Sequence, residues 1–334
     1  MGKKFIHICT FAIVVLISFS FVQNPFSTHY LHTLKYESEA VLNEQDPLYK
    51  QIMVSAKEYE EPAIDARIDR VWKAVPGYNG IRVDIDATYE RVKGDMQFDE
   101  RKIVFEEVAP SIHLDDLPPA AIYKGNEEKQ MVAFLINVAW GNEYIPDILK
   151  TLKKHNIHVT FFLDGSWVKK NPQLAKMLIE EGHEIGNHAY SHPDMSKLTK
   201  ERVDEELERT NKAIEAALEV TPKWFAPPSG SYNQAVVDRA EHFGMKTVMW
   251  SVDTIDWRNP SVDEMVQRVT NKLHPGAMVL MHPTESAAGG LEQLILNSEE
   301  KGFKVGTVSE LLSEKRVLLN TFDENRRSTN GQDN

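Results

Sequence analysis

The stretch AFLINVAWGNEYIPDIL, residues 133–149, reads as a buried strand, a glycine turn and the start of a helix. In an α/β chain that junction is where chemistry usually sits. Yet Val138-Ala139-Trp140-Gly141 has no side chain that moves a proton or holds a metal. The same strand and helix grammar recurs downstream. In KKHNIHVTFFL, IEEGHEIGNH, EHFGMKTVMWSV and SEEKGFKVGTV a helix ends, one punctuating residue follows, and an apolar run begins. Asn156, Gly182, Gly244 and Gly302 stand where a left-handed cap is needed. Ser261/Glu264 and Thr307/Glu310 have the spacing of capping boxes. Val203, Leu207, Ile214 and Leu218 form one apolar helix face. Helix and strand alternate, which implies parallel strands joined by crossover helices. No glycine-rich nucleotide fingerprint opens the first unit, so a barrel is expected rather than an open sheet.

Working outward, the chain of 334 residues divides into five stretches. Residues 1–24 are read as a signal peptide or a membrane anchor. Lys3 and Lys4 precede the uncharged run Phe5–Val22, which at helical rise almost crosses a bilayer core. The two lysines favour a cytosolic N-terminus, so the body is expected to be extracytoplasmic, secreted or held by this one segment. Residues 25–45 read as a tether and residues 319–334 as a polar tail. Residues 46–127 read as a small α/β domain plus a proline-bearing linker, LDDLPPAAIYKGNEEKQ. In it, AIDARIDRVWKAV has helical spacing at Ile64, Ile68, Val71, Trp72 and Val75, whereas IRVDID and KIVFEEV alternate in period two. Residues 128–318 are the barrel. The net charge of −12 offers no broad basic face for phosphates, so no nucleic-acid partner is expected. The only cysteine, Cys9, lies in the N-terminal run. The body therefore has no disulfide, no cysteine nucleophile and no cysteine zinc site.

The polar residues collect at the ends of the expected strands. His188 and His192 end one, a Pro227-Pro228-Ser229-Gly230 turn ends another, Asp253, Asp256 and Trp257 end a third, and His282 ends a fourth. In a barrel these ends share one face, which carries the active site. Two histidines four apart suit a borderline divalent metal, although surface histidines often share that spacing. Asp253 and Asp256 have a competing reading as a cap of the helix that follows, but Asp253 reads more often as a site residue and Asp256, beside Trp257, reads as one. A half-buried histidine such as His282 is either a satisfied core group or, beside a carboxylate, a general acid.

GHEIGNHAYSHPD, FAPPSGSYN, WSVDTIDW and VLMH, in this order, resemble the motifs of the NodB-type polysaccharide deacetylases, a carbohydrate esterase family. With the N-terminal run and the 46–116 region, the chain resembles a sporulation-associated branch found in bacilli. The resemblance implies a distorted (β/α) barrel preceded by a small α+β domain. It also implies metal-dependent hydrolysis of N-acetyl groups on glycans such as chitin or peptidoglycan, with zinc the usual metal. Carried over, His188 and His192 are metal ligands, Asp256 supports the acid His282, and Trp257 walls the acetyl methyl. Pro228, Ser229 and Asp253 fall among the substrate-binding positions. The first motif, Thr-Phe-Asp-Asp-Gly in the family, aligns with Asn137-Val138-Ala139-Trp140-Gly141. The base has become Ala139 and the metal aspartate Trp140. The arginine that orients the base has become Ala226, and the usual aromatic of that motif is Ser229.

These replacements imply impaired catalysis. Loss of a general base alone costs ~10²–10⁴ in rate. Trp140 would either fill the metal position or offer a sugar a stacking face. Three readings stay open: a glycan-binding or scaffold protein of the cell envelope or spore, an active N-deacetylase with a centre rebuilt on Glu143 or Asp194, and an interaction protein acting through 46–116.

Overall fold

The computed structural model describes residues 46–317. The N-terminal run, the tether and the polar tail lie outside the described residues. The chain forms two compact units. One comprises the described residues up to Glu61 together with Ile81–Glu106; the other comprises Pro62–Gly80 and the described residues from Glu107 onward. Residues 62–80 and 107–127 of the expected 46–127 region thus group with the barrel. Among the described residues no helix is long and apolar enough to cross a membrane.

The smaller unit is built on two capped helices. Asp46 accepts the Leu48 N–H ahead of Pro47–Ala56, and Asp84 accepts the Ala87 N–H ahead of Ile85–Val92. Tyr49, Ile52, Tyr89 and Val92 close between them, with the two tyrosine rings edge to face at 5.4 Å. Ile81 and Val83 point inward and Arg82 outward, the period-two pattern expected of IRVDID.

The helical spacing over residues 63–75 does not yield a helix. Arg67–Asp69 and Lys73–Val75 are antiparallel strands, with Arg67 opposite Val75. The Asp69 carboxylate accepts the N–H groups of Val71 and Trp72 at 2.7 and 2.8 Å, and Lys73 takes φ +59°. This side-chain-to-backbone turn competes with the helix and wins. Ile68 and Val71, placed on the expected buried face, are exposed.

The larger unit holds eight parallel strands, here β1 Met131–Val138, β2 Thr160–Leu163, β3 Glu184–Asn187, β4 Trp224–Phe225, β5 Lys246–Thr247, β6 Val252–Asp253, β7 Met278–Met281 and β8 Lys304–Gly306. The sheet runs β6-β7-β1-β2-β3-β4-β5, and β8 also pairs with β1. Helices α1 Ile145–Lys154, α2 Gly165–Lys170, α3 Pro172–Glu180, α4 Lys200–Leu218, α5 Gln234–His242, α6 Val262–Thr270, α7 Glu285–Glu300 and α8 Val308–Leu312 connect and cover them. This is the expected distorted (β/α) barrel.

The alternation of β1 sorts its two faces. Val132, Phe134, Ile136 and Val138 pack with residues of α1, α2, α3, α6 and α7 in an outer core. Met131, Ala133 and Leu135 pack with Phe162, Ala226, Val248 and Met278 in the lumen. The odd-numbered residues of β1 therefore face inward. Asn156, Gly182, Gly244 and Gly302 all take positive φ, as their places before strands require. Both capping boxes form, at Ser261/Glu264 and Thr307/Glu310. The α4 face of Val203, Leu207, Ile214 and Leu218 is buried.

The stretch expected as a linker has a structural role. The Ile122 N–H donates to the Thr247 carbonyl at 2.9 Å, and the Met249 N–H donates to the Ile122 carbonyl at 2.7 Å. The Gly125 N–H then donates to the Gly276 carbonyl, just before β7. Residues 122–125 thus lie as a stave along the open edge of the sheet, and Ile122 joins the lumen core.

Candidate active site

The histidine loop follows β3. Asn187 is held by its Nδ2, which donates to the Leu207 carbonyl and to Asn211 Oδ1, while its Oδ1 accepts the Ala189 N–H. His188 then points into the lumen and donates Nδ1–H to the Ala226 carbonyl at 2.7 Å. A carbonyl only accepts, so Nε2 is left as the lone-pair nitrogen. Burial pushes the His188 pKa down to about 3, and the neighbouring His192 pushes the same way. The two rings lie 5.2 Å apart. They meet through a loop, not one turn of helix, because Ala189 and His192 both take positive φ. The buried Glu206 carboxylate of α4 fixes this loop by accepting the N–H groups of Tyr190 and Ser191 and the Ser191 hydroxyl, each at 2.8 Å.

Asp256 and His282 form the second cluster. Asp256 is fully buried and accepts both the backbone N–H and the Nδ1–H of His282, at 2.6 and 2.8 Å. Ile255 takes φ +54°, which turns Asp256 under the β7 end. Asp253 does not cap α6; that cap is Ser261, and Asp253 Oδ1 instead accepts the Ile255 N–H at 2.8 Å within its own turn. Trp257 is half-exposed, and the Arg258 guanidinium lies 4.6 Å from its ring centre.

At the end of β1, Gly141 has φ +82°, and a Cβ there would lie 2.0 Å from the Pro283 carbonyl oxygen. Only glycine lets the residue after His282 approach β1 so closely. Trp140 is 47% exposed, so it is not a buried plug of the metal position. Its indole lies parallel to the His282 imidazole, 7° between planes and 6.0 Å between centres. Pro228 is buried and Ser229 exposed, in a tight turn where Ser229 takes φ +53°.

The donors do not fit a resident divalent metal. His188 and His192 supply two imidazoles, and among the described residues no three His, Cys, Asp or Glu side chains group so as to hold an ion. Asp194 accepts from Lys197 Nζ, Ser196 Oγ and Ser231 Oγ, contacts that hold its carboxyl well below the usual carboxylate range. Glu143 is exposed. Neither completes a ligand set.

Sequence reasoning missed Asn137 and Glu206. Asn137 is 4% exposed, and among the described residues its Oδ1 accepts no hydrogen bond. The signal was one amide inside the apolar run AFLINV. Glu206 sits one position from the buried Leu207 within EELERT, where a carboxylate reads as solvated surface.

A family model described as polysaccharide deacetylase matches residues 124–248. The Bacillus subtilis protein YlxY is 50% identical over 318 residues, covering 95% of this chain and all of that protein. The peptidoglycan-N-acetylmuramic acid deacetylase PdaA of the same organism is 32% identical over 211 residues, covering 60% of this chain and 78% of PdaA. Among solved structures, a CE4 family pseudoenzyme from Bacillus anthracis superposes with a TM-score of 0.76 at 51% identity, over 81% of this chain and 97% of that one. A mutant of that pseudoenzyme with restored enzymatic activity gives a TM-score of 0.77 at 50% identity, over 81% of this chain and all of that one. The chain belongs to the polysaccharide deacetylase family.

Proposed function

We propose that this chain is a glycan-binding protein of the cell envelope or spore, built on a deacetylase fold and without deacetylase activity of its own. The observation that carries this reading is the donor set at the mouth. Ala139 and Trp140 stand where hydrolysis needs a base and a metal carboxylate, and the described residues offer no third ligand. Asp256 still orients His282. That pair would protonate a leaving amine, but no group remains to activate water. Two half-exposed tryptophans, Trp140 and Trp257, flank the mouth and suit the apolar face of a sugar ring. Relatives named as peptidoglycan deacetylases support an N-acetylated cell-wall glycan as the ligand class. The lysine-flanked run at residues 5–22 supports an extracytoplasmic body, secreted or tethered.

The test is metal content and acetate release from N-acetylglucosamine oligomers, for the wild type and for Ala139→Asp/Trp140→Asp. The wild type is expected to hold no stoichiometric zinc and release no acetate, while the double variant gains both. Stoichiometric zinc with acetate release in the wild type overturns the reading.

A further inference from the structure

A cavity of about 490 Å³ opens between α2, the start of α3 and α4. Its α4 side is one helical stripe, Arg209, Lys212, Ala213 and Ala216, spaced three, four and seven residues from the first. Three cations line it, Lys169, Arg209 and Lys212, and no carboxylate does, although the whole chain carries −12. Arg209 and Lys212 pair with Glu205 and Glu208 at 3.1 and 2.7 Å, one turn back along α4. Such exposed pairs are worth little and exchange readily for a ligand carboxylate. Lys169 is exposed and has no carboxylate partner among the described residues. The walls between the cations are apolar, Val168, Pro172, Ala213 and Ala216 among them. This lining suits small apolar groups joined to carboxylates. A neutral sugar chain would leave the cations without a partner.

Tyr190 joins this cavity to the mouth. It stands midway between His188 and His192 in the histidine loop, and it lines the cavity. Close neighbours fix its ring: a Cβ at Gly165 would come within 2.7 Å of it, and the Arg209 guanidinium lies 3.7 Å from its centre. A guanidinium stacked on an aromatic ring keeps its N–H edge for a bidentate carboxylate. Two residues of extended chain span at most ~7 Å. A ligand branch of three or four residues that starts at the histidines therefore crosses the loop and enters the cavity.

We infer that this cavity holds the acidic peptide arm of a cell-wall glycan while the sugar chain lies in the mouth. The inference rests on the glycan-binding reading and names the ligand class: a muramic acid glycan, whose lactyl carboxyl bears a short peptide with free carboxylates, rather than a chitin-like chain without an arm.

The experiment titrates the full chain calorimetrically, at one neutral pH and one ionic strength, with three probes. These are the disaccharide of N-acetylglucosamine and N-acetylmuramic acid, the same disaccharide bearing its peptide arm, and tetraglutamate. The peptide-bearing disaccharide is expected to bind at least about tenfold tighter than the bare one, the scale of a charge-assisted hydrogen bond. Lys169→Gln/Lys212→Gln is expected to bring that ratio towards one at an unchanged melting temperature, because both lysines are exposed. Arg209→Gln provides a second comparison at the ring of Tyr190. Equal or tighter binding of the bare disaccharide overturns the inference but leaves the glycan reading standing, as does an undiminished ratio in both variants. Tetraglutamate binding as tightly as the peptide-bearing disaccharide reduces the effect to charge alone and also overturns it. If neither disaccharide binds, the glycan reading fails and this inference with it.

Discussion

Gly141 and Gly302 have the same backbone dihedral and opposite surroundings. Both have φ +82°, but a Cβ at Gly141 would strike the Pro283 backbone, whereas at Gly302 it meets nothing within 4 Å. Gly302→Ala is therefore expected to cost only the left-handed strain, ~1 kcal/mol, and Gly141→Ala ~3 kcal/mol or more, because β1 and β7 must separate. Urea midpoints of the two variants check the difference; equal losses would show that the Pro283 contact is slack. Such contacts decide what was legible at this scale. His188, His192, Asp256 and His282 could be read from the sequence because each follows a strand and lies at the chemical face. Trp140 could not, since an indole at a strand end satisfies either burial or exposure. Asn137 was hidden because only the barrel's inside and outside give its position meaning.

At the scale of elements, caps were legible and competition between turns was not. A left-handed cap needs only one residue of the right kind, so Asn156, Gly182, Gly244 and Gly302 announced four strands. The hairpin at 67–75 was misread because its apolar residues fall at helical spacing, while the deciding interaction is one carboxylate, Asp69, on two amides. The histidine loop depends on a similar clamp from a distance. Glu206 of α4 binds two consecutive amides of that loop. Glu206→Ala strands both, with an expected loss of ~2–4 kcal/mol. Glu206→Gln retains one accepting oxygen and is expected to lose less. Denaturant unfolding measures both. The clamp also predicts a loss of zinc occupancy when Glu206→Ala is added to Ala139→Asp/Trp140→Asp; unchanged occupancy would show that the loop holds its shape alone.

Across the whole molecule, the barrel is completed by chain that no local rule assigns to it. Residues 122–125 read as linker because prolines and charges surround them, and only the open edge at β5 and the backbone of Gly276 ahead of β7 make them a stave. The assembled barrel in turn buries groups that prefer water, and acid stability reports that cost. His183, at the start of β3, is 3% exposed; its Nδ1 accepts the Val159 N–H at 3.3 Å, and its ring packs edge-on against Phe161. Burial, with His158 beside it, pushes its pKa from 6.5 down to about 4. The unfolded chain therefore binds a proton that the folded chain refuses between those values. The stability tied to neutral His183 is fully present above pH 6.5 and is lost as pH falls towards 4, by an amount on the order of 3 kcal/mol. His188 acts in the same direction, with a window reaching about 3. Urea midpoints measured from pH 7 to pH 4 are expected to fall in the wild type and to fall less in His183→Gln, which cannot take up the proton. A His183→Gln profile parallel to the wild type would place the acid sensitivity elsewhere in the barrel.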